Sequence, residues 1–146
     1  MYLNILENLK LGASLRRDRM GIKKDMGKVF DHFLILSKRC DQKAGSLSGG
    51  EQMMLAIGLG LMAKPKLLLM DEPSLGLSPM MVGELASIIK NIHESGVSVL
   101  PVEQNVFLAL QVADKGYVLE VGKVILEGGK EQFKNNEVVK RAYLGE

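Results

Sequence analysis

Leu47-Ser48-Gly49-Gly50-Glu51-Gln52, followed by Leu67-Leu68-Leu69-Met70-Asp71-Glu72-Pro73, decides how this chain is read. The first segment is a glycine-rich turn that opens a helix. Amides in the first turn of a helix lack intrahelical partners, and the helix dipole adds partial positive charge there. Ser48 is placed to cap the helix through its hydroxyl, and Gly49 and Gly50 carry no Cβ to keep an oxyanion from the backbone. Taken alone, the turn is equally an ordinary capped helix start. Behind it, Met54, Leu55, Ile57, Leu61 and Met62 make the helix apolar nearly all round, which predicts burial.

The second segment is a short apolar run bounded by Pro65 and Pro73. It predicts a central strand of a parallel sheet, buried on both faces. Ligands of open α/β sheets sit beyond the carboxyl ends of the strands, which is where Asp71 and Glu72 emerge. Side chains alternate along a strand, so the two carboxylates point to different places and suit a metal ion and a polarised water separately. The alternative is a solvated acidic turn.

In this order and at this spacing the two segments resemble the signature loop and Walker B strand of the ATP-binding-cassette (ABC) ATPases. That resemblance implies an α/β fold: a partial P-loop NTPase core with a mostly parallel sheet, plus an N-terminal helical subdomain. It implies ATP and Mg2+ as cofactors. Ser48, Gly49, Gly50 and Glu51 would meet the nucleotide, Asp71 would hold the metal, and Glu72 would orient or deprotonate the attacking water. Ser74-Leu75-Gly76-Leu77-Ser78-Pro79 stands where the family has its D-loop, with Ser78 in place of the usual aspartate. In Glu103-Gln104-Asn105, Gln104 stands in place of the family's switch histidine, as a second catalytic residue.

The strings DEPSLGLSP, VEQN, ADKGYVLE, ILEGG and KRAYLGE narrow the resemblance to LivF-type ATP-binding subunits of branched-chain amino-acid importers. That subgroup tends to carry the same glutamine and the same D-loop departure. It implies membrane permease subunits and a second ATP-binding subunit as partners, with a cytoplasmic position held at the membrane through them. An ABC ATPase of DNA repair or chromosome organisation shares the signature but usually has long coiled-coil insertions, which this sequence lacks. A non-catalytic remnant that only binds a partner is the third reading.

No stretch of the sequence matches the G-x-x-x-x-G-K-[ST] phosphate loop. The opening Met1 to Leu9 resembles the segment that follows the family's Q-loop. The chain therefore resembles the later part of a nucleotide-binding domain, with no expected ATPase activity of its own. Pro101, inside an expected buried strand, is predicted to remove a ladder donor. Gly58 and Gly60 each cost a helix interior roughly 1 kcal/mol relative to alanine. These positions, with Leu59, read as relaxed sequence.

Elsewhere the pattern predicts helices near Ile5–Leu15 and Lys23–Leu36, then the signature helix from Gly49 to Ala63. A helix capped by Ser78 and stopped by Gly96 follows, then a strand from Val97 to Val102 and a short helix capped by Asn105. Strands Gly116–Glu120 and Lys123–Leu126 join at Val121-Gly122, and a polar helix is expected from Lys130 to Tyr143. The expected division lies at 1–64, the helical subdomain, and 65–146, the α/β core. With several strands of the sheet lacking, an edge and apolar faces are expected to stay exposed.

Composition is ordinary for a soluble domain, 47% apolar and 25% charged over 146 residues. Residues 1–46 hold ten Lys/Arg against five Asp/Glu, and the remainder nine against twelve, for a net +2. The cluster Arg16, Arg17, Arg19, Lys23 and Lys24 has no aromatic platform beside it, so a solvated helix face is expected, not a nucleic-acid surface. Cys40 is alone, which excludes an internal disulfide. No apolar run approaches the ~20 residues of a membrane span.

Overall fold

The computed structural model describes residues 2–136 and Val139. Helix α1 (Ile5–Gly12) opens with a reciprocal cap: the Glu7 amide donates to Asn4 Oδ1 at 2.7 Å and the Asn4 amide to Glu7 Oε2 at 2.9 Å. Helix α2 (Arg19–His32) and the short α3 (Leu34–Lys38) take the place of the single helix expected over 23–36. The break is Phe33, at φ −128° and ψ 71°, whose ring is buried in the core. Burying that ring outweighs continuity of the helix. A 3-10 turn (Ala44–Ser46) then leads into α4 (Gly49–Met62).

The four helices pack around Ile5, Leu9, Val29, Leu36, Leu55 and Met62. The glycines of α4 have a packing reason here, against the expectation of relaxed sequence. A Cβ on Gly58 would lie 2.9 Å from Val29 Cγ1 and 3.1 Å from Leu9 Cδ2, so its absence lets α1 and α2 approach. On α1, a Cβ at Gly12 would meet the Leu59 carbonyl oxygen of α4 at 2.2 Å. Gly60 faces Leu68 in the same way, at 3.0 Å. The propensity cost of Gly58 and Gly60 is exchanged for close approach of neighbouring elements.

Arg16 corrects another expectation. Its guanidinium is not on a solvated face: it lies 2.8 Å from Asp18 and 2.8 Å from Asp25 and donates to the Met62 carbonyl at 2.9 Å. It thus closes the C-terminal end of α4 against the start of α2, and its side chain is only 10% exposed. Arg17, Arg19, Lys23 and Lys24 do face solvent.

Lys64, at φ +56°, turns the chain into β1 (Leu67–Asp71). Helix α5 (Pro79–Glu94), capped by Ser78, buries Val82, Leu85, Ile88, Ile89 and Ile92 and delivers the chain to β2 (Ser98–Val102). The two strands pair in parallel, Leu67 opposite Ser98 through Asp71 opposite Val102. Helix α6 (Val106–Val112), capped by Asn105, follows. The antiparallel pair β3 (Lys115–Glu120) and β4 (Lys123–Gly129) joins through Val121 and Gly122, both at positive φ, and leads into α7 (Lys130–Asn135). The helix expected to run on to Tyr143 is instead interrupted at Asn136, whose backbone is extended at φ −84° and ψ 128°; beyond it only Val139 is among the described residues. Buried side chains of α1–α6 and β1 form one continuous cluster.

The parallel pair is not buried on both faces. Leu67, Leu69, Leu100 and Val102 share one face and are all exposed, while Met70 packs inward. A parallel sheet normally has both faces covered, so the uncovered face and open edges match the expectation of a partial sheet. Pro101 costs the pair nothing. The Ser98 amide donates to the Lys66 carbonyl and the Glu72 amide to the Val102 carbonyl, both at 2.9 Å. By alternation, Ser98, Leu100 and Val102 turn their backbone groups toward β1. Pro101 turns its missing donor to the opposite edge.

Candidate functional site

Two sets of predicted residues occupy two turns. At the start of α4, Ser48 and Glu51 satisfy each other. The Glu51 carboxylate accepts from the Ser48 amide at 2.9 Å and from its hydroxyl at 3.0 Å, and the Ser48 Oγ accepts from the Glu51 amide at 3.4 Å. Arg39 pairs with the same carboxylate at 3.0 Å. The backbone bond from Ser48, more than offsetting the burial that opposes it, holds Glu51 below the usual carboxylate range, with smaller help from the Ser48 hydroxyl and Arg39. Glu51 thus shapes the turn, and Arg39 offsets a negative charge that would otherwise oppose an anion beside it.

The two glycines differ. Gly49 is exposed and a Cβ there would meet nothing within 4 Å, so the helix start is open to solvent at this one position. Gly50 is buried, and a Cβ would lie 2.0 Å from Met81 Cε and 3.1 Å from Leu77 Cδ2. Its smallness serves packing against the turn that precedes α5, a reason sequence spacing did not reveal. Through it the start of α4 is seated beside residues 77–81.

The second turn lies at the carboxyl end of β1. Asp71, its last residue, is exposed on the open face. Glu72 follows at φ +45°, a left-handed conformation uncommon for a glutamate. Its amide is held by Val102, and its carbonyl accepts from the Leu75 amide at 3.0 Å. Its carboxylate is met by Gln104: Nε2 donates to Glu72 Oε1 at 2.5 Å, across 32 residues of sequence. The structure therefore joins Glu72 with Gln104 and places Asp71 beside them. Ser48, Gly49, Gly50 and Glu51 make none of their hydrogen bonds to this turn.

One residue here escaped the sequence reading. Glu103 accepts three donors: the Ser74 amide at 2.9 Å, the Ser74 hydroxyl at 2.7 Å and the Asn105 amide at 3.3 Å. Ser74 is 9% exposed. Neither the charge of Glu103 nor its place in the strand-end string signalled a partner 29 residues away.

The donors fit part of a magnesium shell. Mg2+ in nucleotide sites is usually held by one or two carboxylates, waters and substrate phosphates. Asp71 supplies one exposed carboxylate of that kind, and no group of three or more His, Cys, Asp or Glu side chains gathers among the described residues. Further ligands would come from the nucleotide and from other protein groups.

Residues 3–75 match the profile of the ABC transporter family. The chain is 46% identical over 143 residues to the high-affinity branched-chain amino acid transport ATP-binding protein BraG of Pseudomonas aeruginosa, covering 98% of this chain and 61% of that protein. It is 36% identical over 146 residues to the lipopolysaccharide export system ATP-binding protein LptB of Haemophilus influenzae, covering 99% and 60%. Among solved structures, an ATP-binding cassette of an ABC transporter in its ADP conformation superposes with a TM-score of 0.80 at 30% identity, over 99% of this chain and 63% of that one. The chain thus spans about three fifths of the length of the relatives it matches. On the signature turn, the strand-end acid pair and these likenesses together, this chain belongs to the ABC transporter family of ATP-binding proteins.

Proposed function

We propose that these residues supply the signature turn and the water-positioning acid of an ATP-binding subunit that powers import of branched-chain amino acids. The observation that carries this reading is the Gln104 carboxamide held on Glu72 beyond the carboxyl ends of two parallel strands. The branched-chain solute rests on the likeness to BraG and on the DEPSLGLSP and VEQN strings.

In this reading the exposed start of α4 at Gly49 and the Ser48 hydroxyl approach the terminal phosphate of ATP bound to a second ATP-binding subunit. Asp71 holds Mg2+, which supplies charge neutralisation on the phosphate oxygens. Glu72 orients the attacking water and accepts its proton, and Gln104 fixes the direction of the Glu72 carboxylate. Phosphoryl transfer depends on positioning and on charge stabilisation, much of which the phosphate-loop lysine and amides provide. No such loop stands within these 146 residues, so they complete a site only with groups from elsewhere. Residues 1–64 form the helical unit that meets permease subunits, and 65–146 the α/β core. No described helix is long and apolar enough to cross a membrane. Attachment to the cytoplasmic face is therefore assigned to the permease partners.

Photo-crosslinking tests the reading. Azido-ATP is added with Mg2+ to this chain mixed with an ATP-binding subunit that carries the phosphate loop. Labelling of this chain that needs both the partner and Ser48 is the expected result. Label that ignores the partner, or its complete absence, would overturn the proposal. The purified chain alone should release no phosphate above background; Mg2+-dependent turnover abolished by Glu72→Gln would contradict that.

A further inference from the structure

We infer that Glu103 is a positioning residue for Glu72, acting by clamping the turn 73–78 to the end of β2. The two loops concerned are tied twice, side by side. One tie is Gln104 on Glu72. The other is Glu103 on Ser74, one residue from Gln104 and two from Glu72. A single carboxylate captures both donors of one serine, the amide on Oε1 and the hydroxyl on Oε2, so it fixes the orientation of that serine as well as its distance.

The need for a clamp is visible in the backbone. Glu72 sits at φ +45°, which an L residue holds only where its surroundings over-determine it. One side of the residue is fixed by the bond from its amide to Val102. The other side is the turn itself: the Leu75 amide closes onto the Glu72 carbonyl, and the Leu77 amide onto the Ser74 carbonyl at 3.1 Å. Those bonds tighten the turn but do not say where it lies against β2. The Ser74–Glu103 pair does. Pro73 beside it is fully buried but lacks an amide, so the hydrogen-bonded attachment of the turn to the end of β2 falls to Ser74.

Glu103 is also committed to this task alone. Among the described residues no lysine or arginine pairs with it. Its third donor, the Asn105 amide, belongs to the loop that carries Gln104. The carboxylate therefore fixes the loop of Gln104 and the turn of Glu72 to one another. Removing its charge frees Ser74 and lets Glu72 relax away from the carboxamide.

This inference gives a role to Glu103 within the reading of Glu72 proposed above, yet its test needs no nucleotide, so the two fail separately. The 15N-labelled full chain is compared by NMR with Glu103→Gln, Glu103→Asp and Ser74→Ala. In Glu103→Gln the Ser74 amide is expected to exchange with solvent at least about tenfold faster, and the Gln104 carboxamide signals to move toward those of a free glutamine. Ser74→Ala, which keeps the amide donor, is expected to shift the Gln104 signals by less, and Glu103→Asp to restore part of the wild-type pattern. Amides of α1 and α4 are expected to stay in place. Gln104 signals unmoved in Glu103→Gln would overturn the inference. So would changes spread equally through α1 and α4, which would make Glu103 a general structural residue.

Discussion

The signature turn and the acid turn are built in opposite ways. The first is local: Ser48 and Glu51 satisfy each other within one helical turn, with Arg39 as the outside partner. The second is assembled from afar, since Glu72 and Ser74 receive their partners from Gln104 and Glu103, 32 and 29 residues on. A local turn survives changes in the rest of the fold. A turn assembled from two strand ends exists only if β1 and β2 are paired in this register. The signature turn is thus preformed by sequence, and the acid turn is a product of the fold.

The sharpest way to separate shape from function in the local turn is Gly49→Asp. The position is open, so the new Cβ meets no neighbour within 4 Å. A carboxylate in the first turn of a helix is favourable to the helix and repels an approaching phosphate. The melting temperature should hold or rise slightly while nucleotide labelling in the mixture falls at least about tenfold. Labelling that persists would remove the phosphate from this turn.

Gly50→Ala sharpens the contrast one residue later. Its Cβ collides with Met81, so the substitution presses on the start of α5. Overpacking of this kind costs about 1–3 kcal/mol, softened here because the Met81 thioether end is flexible. Denaturant unfolding reads it out directly. Ser48→Ala is expected to cost about 1 kcal/mol as loss of a helix cap. A double-mutant cycle breaks the comparison itself. Ser48→Ala with Glu51→Ala should fall well short of additive, while Ser48→Ala with Ser74→Ala should add, because the two turns share no hydrogen bond.

What the sequence made legible follows the same division. The cap at Ser48, the stop at Gly96, the helix from Pro79 and the Val121-Gly122 turn are local signals, and the structure has each where the residues point. The parallel pair and its acid end were legible because apolar runs and their punctuation are local too. Pairings across the sheet were not. Nothing in Glu103 announces Ser74, and nothing in Gly50 or Gly58 announces Met81 or Val29. Phe33 shows the reverse failure: helical periodicity continued through it, and burial of its ring broke the helix anyway. The covering of Leu67 and Leu69 was misjudged for a related reason. An apolar strand carries no sign of how many neighbours it will have.

The smallest expected effect concerns the charge on Glu51. Its folded carboxyl sits below the ordinary 4.5 because the Ser48 amide and hydroxyl and Arg39 favour the ionised form. A group whose folded value is depressed adds stability above its unfolded value and loses it as pH falls through the folded one. The stability difference between wild type and Glu51→Gln should therefore be constant from neutral pH down to about 4.5 and shrink below it. Glutamine keeps one neutral bond of the capping box, so the plateau should be smaller than the loss from Ser48→Ala. Urea melts of both proteins between pH 3 and 7 measure it. A difference that grew on acidification would mean that the carboxylate is strained in the fold, and that the local turn is held by something other than its own cap.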